Sequence, residues 1–304
     1  MENIDIFKKA ILEMDIKSKN ISQMLNSLRE NISYRWDKLI IELQYWKIFR
    51  QKINWDNPQT YTEKMQLLKL APESEKLWIY ADKYEVRKFV RKTIGSQYLN
   101  KLYGVYQNAE EIDLNALPNK FILKPTHGSG PIIICKNKAD LNWPETKKIL
   151  NRWLKKNYYH KFKEKSYKLI KPKIICERYL EDKQGNLYDY KFFCFHGKSK
   201  FIQVDLDRYV HHTQNFYTPS WRKLPLARCF PVFKKPLKKP SNLKKMLKIA
   251  SSLSANFPHV RIDLYNVDNH IYFGEMTFTS FAGNPVFKPK KYDYIIGKYF
   301  KLKT

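Results

Sequence analysis

The stretch VRIDLYNVDNHIYFGEMTF (260–278) predicts a β-hairpin turning near Asp268-Asn269, because apolar residues alternate on both sides of a turn-forming pair. Asp263 falls on the first strand and Glu275 on the second, inside otherwise apolar sequence. An acid among half-buried strand residues is costly unless it is paired or binds a cation. Two carboxylates facing each other across strands suit Mg²⁺, which takes oxygen ligands and shares them with phosphate. Alternation places Arg261 and Asp263 on one face of the first strand, and Glu275 and Thr277 on one face of its partner. The same placement equally allows a cross-strand Arg261–Glu275 salt bridge on a solvated face.

Working outward, DYKFFCFHGKSKFIQVDLDRY (189–209) reads as two strands with a turn at His196-Gly197, and KIICERYL (173–180) as a short buried strand. PNKFILKP (118–125) and PIIICKN (131–137) read as strands around the turn THGSG. In KPTHGSG (124–130) exposed backbone N–H groups can cradle phosphate while Lys124 neutralises it; an ordinary hairpin loop gives the same pattern. The GxxxxGK[ST] spacing of a Walker loop is absent. His127 is a candidate catalytic group or a local hydrogen-bonding residue. ADKYEVRKFVRKTIG (81–95) predicts a helix ended by Gly95, with Lys83 and Arg87 on one face that by default is solvated. Residues 1 to about 50 read as helical, with Ile6, Phe7, Ala10, Ile11 and Met14 as an amphipathic stripe. Thr60 and Glu63 have capping-box spacing after the turn at Asn57-Pro58. Residues 144–170 read as a basic helix, and 241–255 as a capped amphipathic helix. The sum is α+β or α/β with antiparallel sheets and flanking helices.

The 304 residues are 43% apolar, enough for a substantial core, and 57 Lys plus Arg against 29 Asp plus Glu give a net charge of +28. That field concentrates polyanions: nucleic acid, anionic headgroups or acidic polysaccharide. A lysine-rich genome would give the same count without function. MENIDIFKKA shows no secretory signal and no apolar run is long enough to cross a bilayer, so the expectation is a cytoplasmic protein, with peripheral contact at the inner membrane face as an option. Cys135, Cys176, Cys194 and Cys229 form no CxxC pair and read as reduced core residues. His211-His212 point to opposite sides of a strand and make a poor metal pair. Asp205-Leu206-Asp207 matches the DxD of sugar-nucleotide enzymes, a triplet common by chance. A nucleic-acid-binding module would account for the charge and the aromatics, but no zinc-finger, RNA-recognition or helix-turn-helix signature accompanies them.

Taken in order, NPQTYTEK (57–64), ADKYEVRKFV (81–90), LPNKFILKPTHGSG (117–130), KIICERYL, DYKFFCFHGK (189–198), VRIDLY (260–265) and FGEMTFTSFAG (273–283) resemble the TupA-like ATP-grasp family of polysaccharide biosynthesis. The resemblance runs from about Asn57 to Gly283. It implies an ATP-grasp fold of two α+β lobes whose antiparallel sheets close on ATP, after a helical N-terminal extension at 1–56. The lobes it implies are 57–116 (N-terminal), 117–176 (lid) and 177–304 (catalytic). ATP and Mg²⁺ are the implied cofactors. Position by position, Lys83 and Lys124 match the two nucleotide-binding lysines. His127, Gly128, Ser129 and Gly130 match the loop over the phosphates, and Glu177, Arg178, Tyr179 and Leu180 the hinge that reads adenine. Asp189, with Asp182 as competitor, falls at the ribose-contacting acid. Lys191 and Arg208 match phosphate or substrate contacts, Arg261 the catalytic arginine, and Asp263 and Glu275 the metal-binding acids. The usual Glu-x-Asn ending reads Glu275-Met276-Thr277 here, which puts a hydroxyl at the second metal position.

The activity implied by the resemblance is ATP-dependent amide formation through an acyl phosphate. It would attach an amino acid or other amine to a uronic-acid carboxylate of a surface polysaccharide or its precursor. A glycosyltransferase of the same pathway is the alternative, and nucleic acid is not an expected partner.

Overall fold

The structure, a computed structural model, describes residues 2–206, 212–234 and 237–302, and the side chains of all of these except 2–22 and 26. Asp207, Arg208 and His211 therefore lie outside the described residues, as do the side chains of the stripe Ile6 to Met14. Two compact units make up the chain, Met1–Lys52 and Ile53–Thr304.

The first unit is one long helix, α1 (Glu2–Phe49). The second carries the helices α2 (Tyr61–Leu70), α3 (Trp78–Ala81), α4 (Val86–Ile94), α5 (Trp143–Leu154), α6 (Tyr158–Phe162), α7 (Leu243–Ser254) and α8 (Lys291–Tyr299). Its strands are β1 (Leu102–Tyr106), β2 (Phe121–Pro125), β3 (Ile133–Cys135), β4 (Ile174–Arg178), β5 (Asp189–Phe195), β6 (Lys198–Leu206), β7 (Thr213–Tyr217), β8 (His259–Val267) and β9 (His270–Thr277). They form a small sheet, β1-β4-β2-β3, and a large one, β7-β6-β5-β8-β9, with every pairing antiparallel.

The large sheet is buried on both faces, which explains why DYKFFCF is apolar almost throughout. Phe192 and Cys194 pack on one side in a core completed by Met246, Ile249 and Leu253 of α7 and Val86 and Val90 of α4. Phe193 and Phe195 point the other way, into a core completed by Tyr61 and Met65 of α2 and Ile296 of α8. The small sheet has a separate core in which Phe121, Leu123 and Cys176 meet Leu150 of α5. Burying this much apolar surface against helices is the main favourable term in such a fold.

Most local signals are met. The 260–278 hairpin turns at Asp268 and Asn269, both with positive φ (48° and 67°), as a two-residue turn requires. Thr60 and Glu63 close a full capping box at the start of α2. Three expectations change. The helix read at 81–95 begins only at Val86, because Asp82 Oδ1 accepts from the backbone of Tyr84 and Glu85 and holds a turn there. The helix read over 144–170 stops at Leu154, and α6 follows as a separate five-residue piece. Asn242 does not cap α7; its Nδ2 donates to Asn266 Oδ1 (3.0 Å) and to the Asn269 carbonyl (3.0 Å), tying the helix to the hairpin. Among the described cysteines, Cys135, Cys176 and Cys194 are buried thiols and Cys229 is exposed.

Two stability measurements check this description. Thr60→Ala removes the side-chain half of the capping box and should cost about 1 kcal/mol, read as a lower midpoint in urea. Glu164 is buried beside Thr279, and burial raises its pKa from 4.5 to about 7. A carboxyl whose folded pKa is raised keeps its proton longer in the native state, so its contribution to stability is lost as pH rises between those two values. Glu164→Gln should therefore gain stability relative to the parent at pH 8 and not at pH 4.

Candidate active site

The polar residues of the large sheet share one face. On β8 Val260, Ile262 and Leu264 enter the α7 core, so alternation sends Arg261 and Asp263 to the opposite side. The pairings Gln203↔Lys191, Lys191↔Asp263 and Asp263↔Glu275 then line up one polar row across β6, β5, β8 and β9. Strict alternation along β9 would put Glu275 with Phe273. A bulge at Gly274 resets the pattern: Leu264 pairs with Phe273 and Asp263 with Glu275, one residue being left over. A Cβ on Gly274 would come within 3.1 Å of the Asp263 carbonyl oxygen, so only glycine fits without displacement.

Within the row, Asp263 accepts from two cations. Arg261 Nε donates to Oδ1 at 2.6 Å, Arg261 Nη2 to Oδ2 at 2.7 Å and Lys191 Nζ to Oδ2 at 3.1 Å. Arg261 Nη2 also reaches Glu275 Oε1 (2.7 Å) and Thr277 Oγ1 (3.0 Å), while Nη1 donates to Ser280 Oγ (2.7 Å). The cross-strand Arg261–Glu275 salt bridge thus forms, but in a buried network and not on a solvated face. Lys191 is surrounded by Asp189, Asp205 at 3.5 Å and Asp263. Burial opposes its charge, and the three carboxylates outweigh burial and hold its pKa above the ordinary lysine value.

The small sheet supplies the other wall. The pairings Glu177↔Ile122 and Ile122↔Ile134 place these side chains in one row across β4, β2 and β3, with Lys124 two residues along β2. Glu177 binds Lys124 Nζ at 2.8 Å and Arg87 Nη1 at 2.9 Å. Arg87, read from sequence as part of a solvated face, is instead held by this pair and by the Asn100 carbonyl at 2.7 Å. Lys83 is turned the same way because its backbone N–H donates to the Thr126 carbonyl; its Nζ donates to the Gly128 carbonyl at 2.5 Å. Burial pushes its pKa down, against the pull of Glu275.

A cleft open to solvent, about 860 Å³ with the open space at its mouth, lies between the walls. Lys83, Lys124, Ser129, Gly130 and Glu177 line it from one side and Asp263, Gly274 and Glu275 from the other. Ile122, Ile132, Ile134, Tyr179, Leu180 and Leu187 make an apolar end suited to a flat aromatic base. The motifs do not point to the isoleucines, Leu187, Asn100 or Phe273; alternation along 121–125 and 131–135 is a signal for the isoleucines alone. Other expected residues stand off the cleft wall. His127 is buried, with Nε2 3.2 Å from the Trp153 carbonyl, and burial followed by the Lys83 charge keeps its pKa below the ordinary histidine value. Arg178 donates to Tyr272 Oη at 2.6 Å. Asp189 pairs with Lys191, and Asp182 folds its own loop by accepting from Gln184 and Asn186. Thr277 Oγ1 donates to Glu275 Oε1 at 2.9 Å.

The donor set suits Mg²⁺. Asp263 and Glu275 offer carboxylate oxygens from neighbouring strands at the cleft, and no cluster of three or more His, Cys, Asp or Glu forms a closed cage among the described residues. Magnesium is ordinarily held by one or two carboxylates and completed by phosphate and water.

A family model described as TupA-like ATPgrasp matches residues 63–301. No curated protein matches the chain significantly. Among solved structures, the D-alanine–D-alanine ligase of Bacillus anthracis is similar at 15% identity over 66% of this chain and 57% of that one, TM-score 0.42. The ATP-grasp ligase PsnB, complexed with a phosphomimetic variant of its minimal precursor, Mg and ADP, is 9% identical over 73% and 61%, TM-score 0.42. The Helicobacter pylori D-alanine–D-alanine ligase is 15% identical over 74% and 62%, TM-score 0.38. The chain thus spans little more than half of the first of these structures. The family match covers most of the chain, from α2 to the end of α8, and the chain belongs to the TupA-like ATP-grasp family.

Proposed function

We propose that the chain joins an amine to the carboxylate of a uronic acid in a surface polysaccharide or its precursor, using ATP and Mg²⁺. The observation that carries this reading is one cleft bordered by two lysines of the small-sheet side, Lys83 and Lys124, and two acids of the hairpin, Asp263 and Glu275. The base of ATP would lie against Ile122, Ile134 and Leu180, and its phosphates would lie between the lysines and the backbone of Gly128, Ser129 and Gly130. The spans 57–116, 117–176 and 177–304 are the lobes that would close on it. Asp263 and Glu275 would hold the Mg²⁺, whose chemistry is to neutralise charge on the phosphates.

A carboxylate does not react with an amine unaided, because oxide is a poor leaving group. Attack of the substrate carboxylate on the γ-phosphorus gives an acyl phosphate and ADP. Attack of the amine then gives the amide and releases phosphate. Neither step needs a covalent bond to the protein, so its work is positioning and charge neutralisation. Lys83 and Lys124 offset charge spreading over the transferred group, and Arg261 fixes the orientation of Asp263 and Glu275. In this mechanism Lys191 and Thr277 act on the site through Asp263 and Glu275, whose orientation they fix, and do not touch substrate. The acid acceptor fits the +28 charge, since a polyuronate carries one carboxylate per acidic sugar and the field would draw it in. The same charge suits work beside an anionic membrane face; no described helix is long and apolar enough to cross a membrane.

ADP release is the measurement. With galacturonate or glucuronate as acceptor and a panel of amines, the parent protein should release ADP over many turnovers only when both are present. Lys124→Ala and Glu275→Ala should each lower this rate at least about a hundredfold, the loss expected for roughly 3 kcal/mol of transition-state stabilisation. Unchanged turnover in both folded variants would rule the reading out.

A further inference from the structure

Arg228 lies in the segment between β7 and α7 and is 3% exposed. Its Nη2 donates to Gln203 Oε1 at 2.7 Å, while Nε and Nη1 are buried with no acceptor. Among the described residues no carboxylate pairs with it. Asp205 reaches it only through Gln203, whose Nε2 donates to Asp205 Oδ1 at 2.6 Å. A buried guanidinium without a counter-ion and with two unmade hydrogen bonds is costly. Arg261 on the same sheet face contrasts with it, since Asp263, Glu275, Thr277 and Ser280 satisfy its donors. Burial, and then the nearby Arg261 charge, push the pKa of Arg228 down, to about 10.

What covers Arg228 is itself under strain. The ring of Phe281 lies over its guanidinium at 4.2 Å, and Phe193 of β5 lies at 5.7 Å. Phe281 is 42% exposed, so its far side faces solvent. Phe281 (φ 55°, ψ 39°) and Ala282 (φ 53°, ψ 27°) both adopt the left-handed conformation that side-chain-bearing residues take only at a cost. The preceding residue, Ser280, is the one that accepts from Arg261 Nη1, so the cover is attached directly to the polar row of the site.

We propose that Arg228 is the anchor for a carboxylate of the acidic acceptor, and that Phe281 is a cover which moves off the guanidinium to admit it. The bound carboxylate supplies the counter-ion and acceptors that Arg228 lacks, in a charge-assisted pair. Displacing Phe281 relieves two left-handed residues and exposes Arg228 next to Arg261. This assignment rests on the ligase reading for the identity of the acid, and on Arg228 alone for its place.

The test is a calorimetric titration of D-galacturonate, with D-galactose as the neutral control, into the parent protein and into Arg228→Met and Phe281→Ala. Each protein is also checked for a rise in Tm with Mg·ATP. The parent should bind galacturonate and not galactose. Arg228→Met should bind galacturonate about tenfold or more weakly while keeping its nucleotide response, and Phe281→Ala should bind at least as well as the parent. Equal affinity in the parent and Arg228→Met, or no galacturonate binding to the parent, overturns the assignment. Should Arg228→Met not fold, phenylglyoxal labelling of Phe281→Ala decides: galacturonate, and not galactose, should slow modification of Arg228, and unchanged labelling overturns it. Arg228-dependent acid binding without ADP release or nucleotide response would defeat the ligase reading alone.

Discussion

Asp263 held between Arg261 and Lys191 is the constraint on which the rest of the site depends. Its carboxylate is 2% exposed at residue level, and both oxygens are bound by cations of the same sheet face. Such a network is satisfied only as a whole. Removing one partner strands a buried charge, with a cost of about 3–5 kcal/mol, although the intact set contributes little net stability. The large sheet accepts this arrangement because its remaining surface is aromatic and aliphatic, anchored by α7 on one side and α2 and α8 on the other.

The polar row also explains how two sheets divide one chemical task. The large sheet presents fixed acids, oriented by the bulge at Gly274 and by neighbours that do not reach the cleft. The small sheet presents cations whose positions are set by Glu177 and by the turn at Asp82. Charges of opposite sign face each other across the cleft. Rigid strands place side chains better than loops do.

The local features were legible in the sequence because each has a short-range cause. The hairpin at 260–278, the turn at His196-Gly197 and the Thr60–Glu63 box follow from alternation, positive φ and cap spacing. Asp263 and Glu275 stood out because acids in apolar strands need a reason. What stayed hidden depends on contacts distant in the chain. Arg87 looked solvated until Glu177, far along the chain, was folded against it, and Lys83 is directed by a backbone bond to Thr126. Lys191 looked like a substrate contact, yet its three acid neighbours come from β5, β6 and β8 together. Arg228 gave no signal at all, since a lone arginine in a loop reads as surface. Arg208, expected at a substrate contact, lies outside the described residues.

Both faces of the large sheet being buried, one aliphatic and the other partly charged, has a bearing on how the gene can change. Inserting or deleting a single codon inside β8 would rotate every following side chain by half a period, sending Arg261 or Asp263 among Met246 and Leu253 and bringing Ile262 into the polar row. Residues added at the Asp268-Asn269 turn would change neither face.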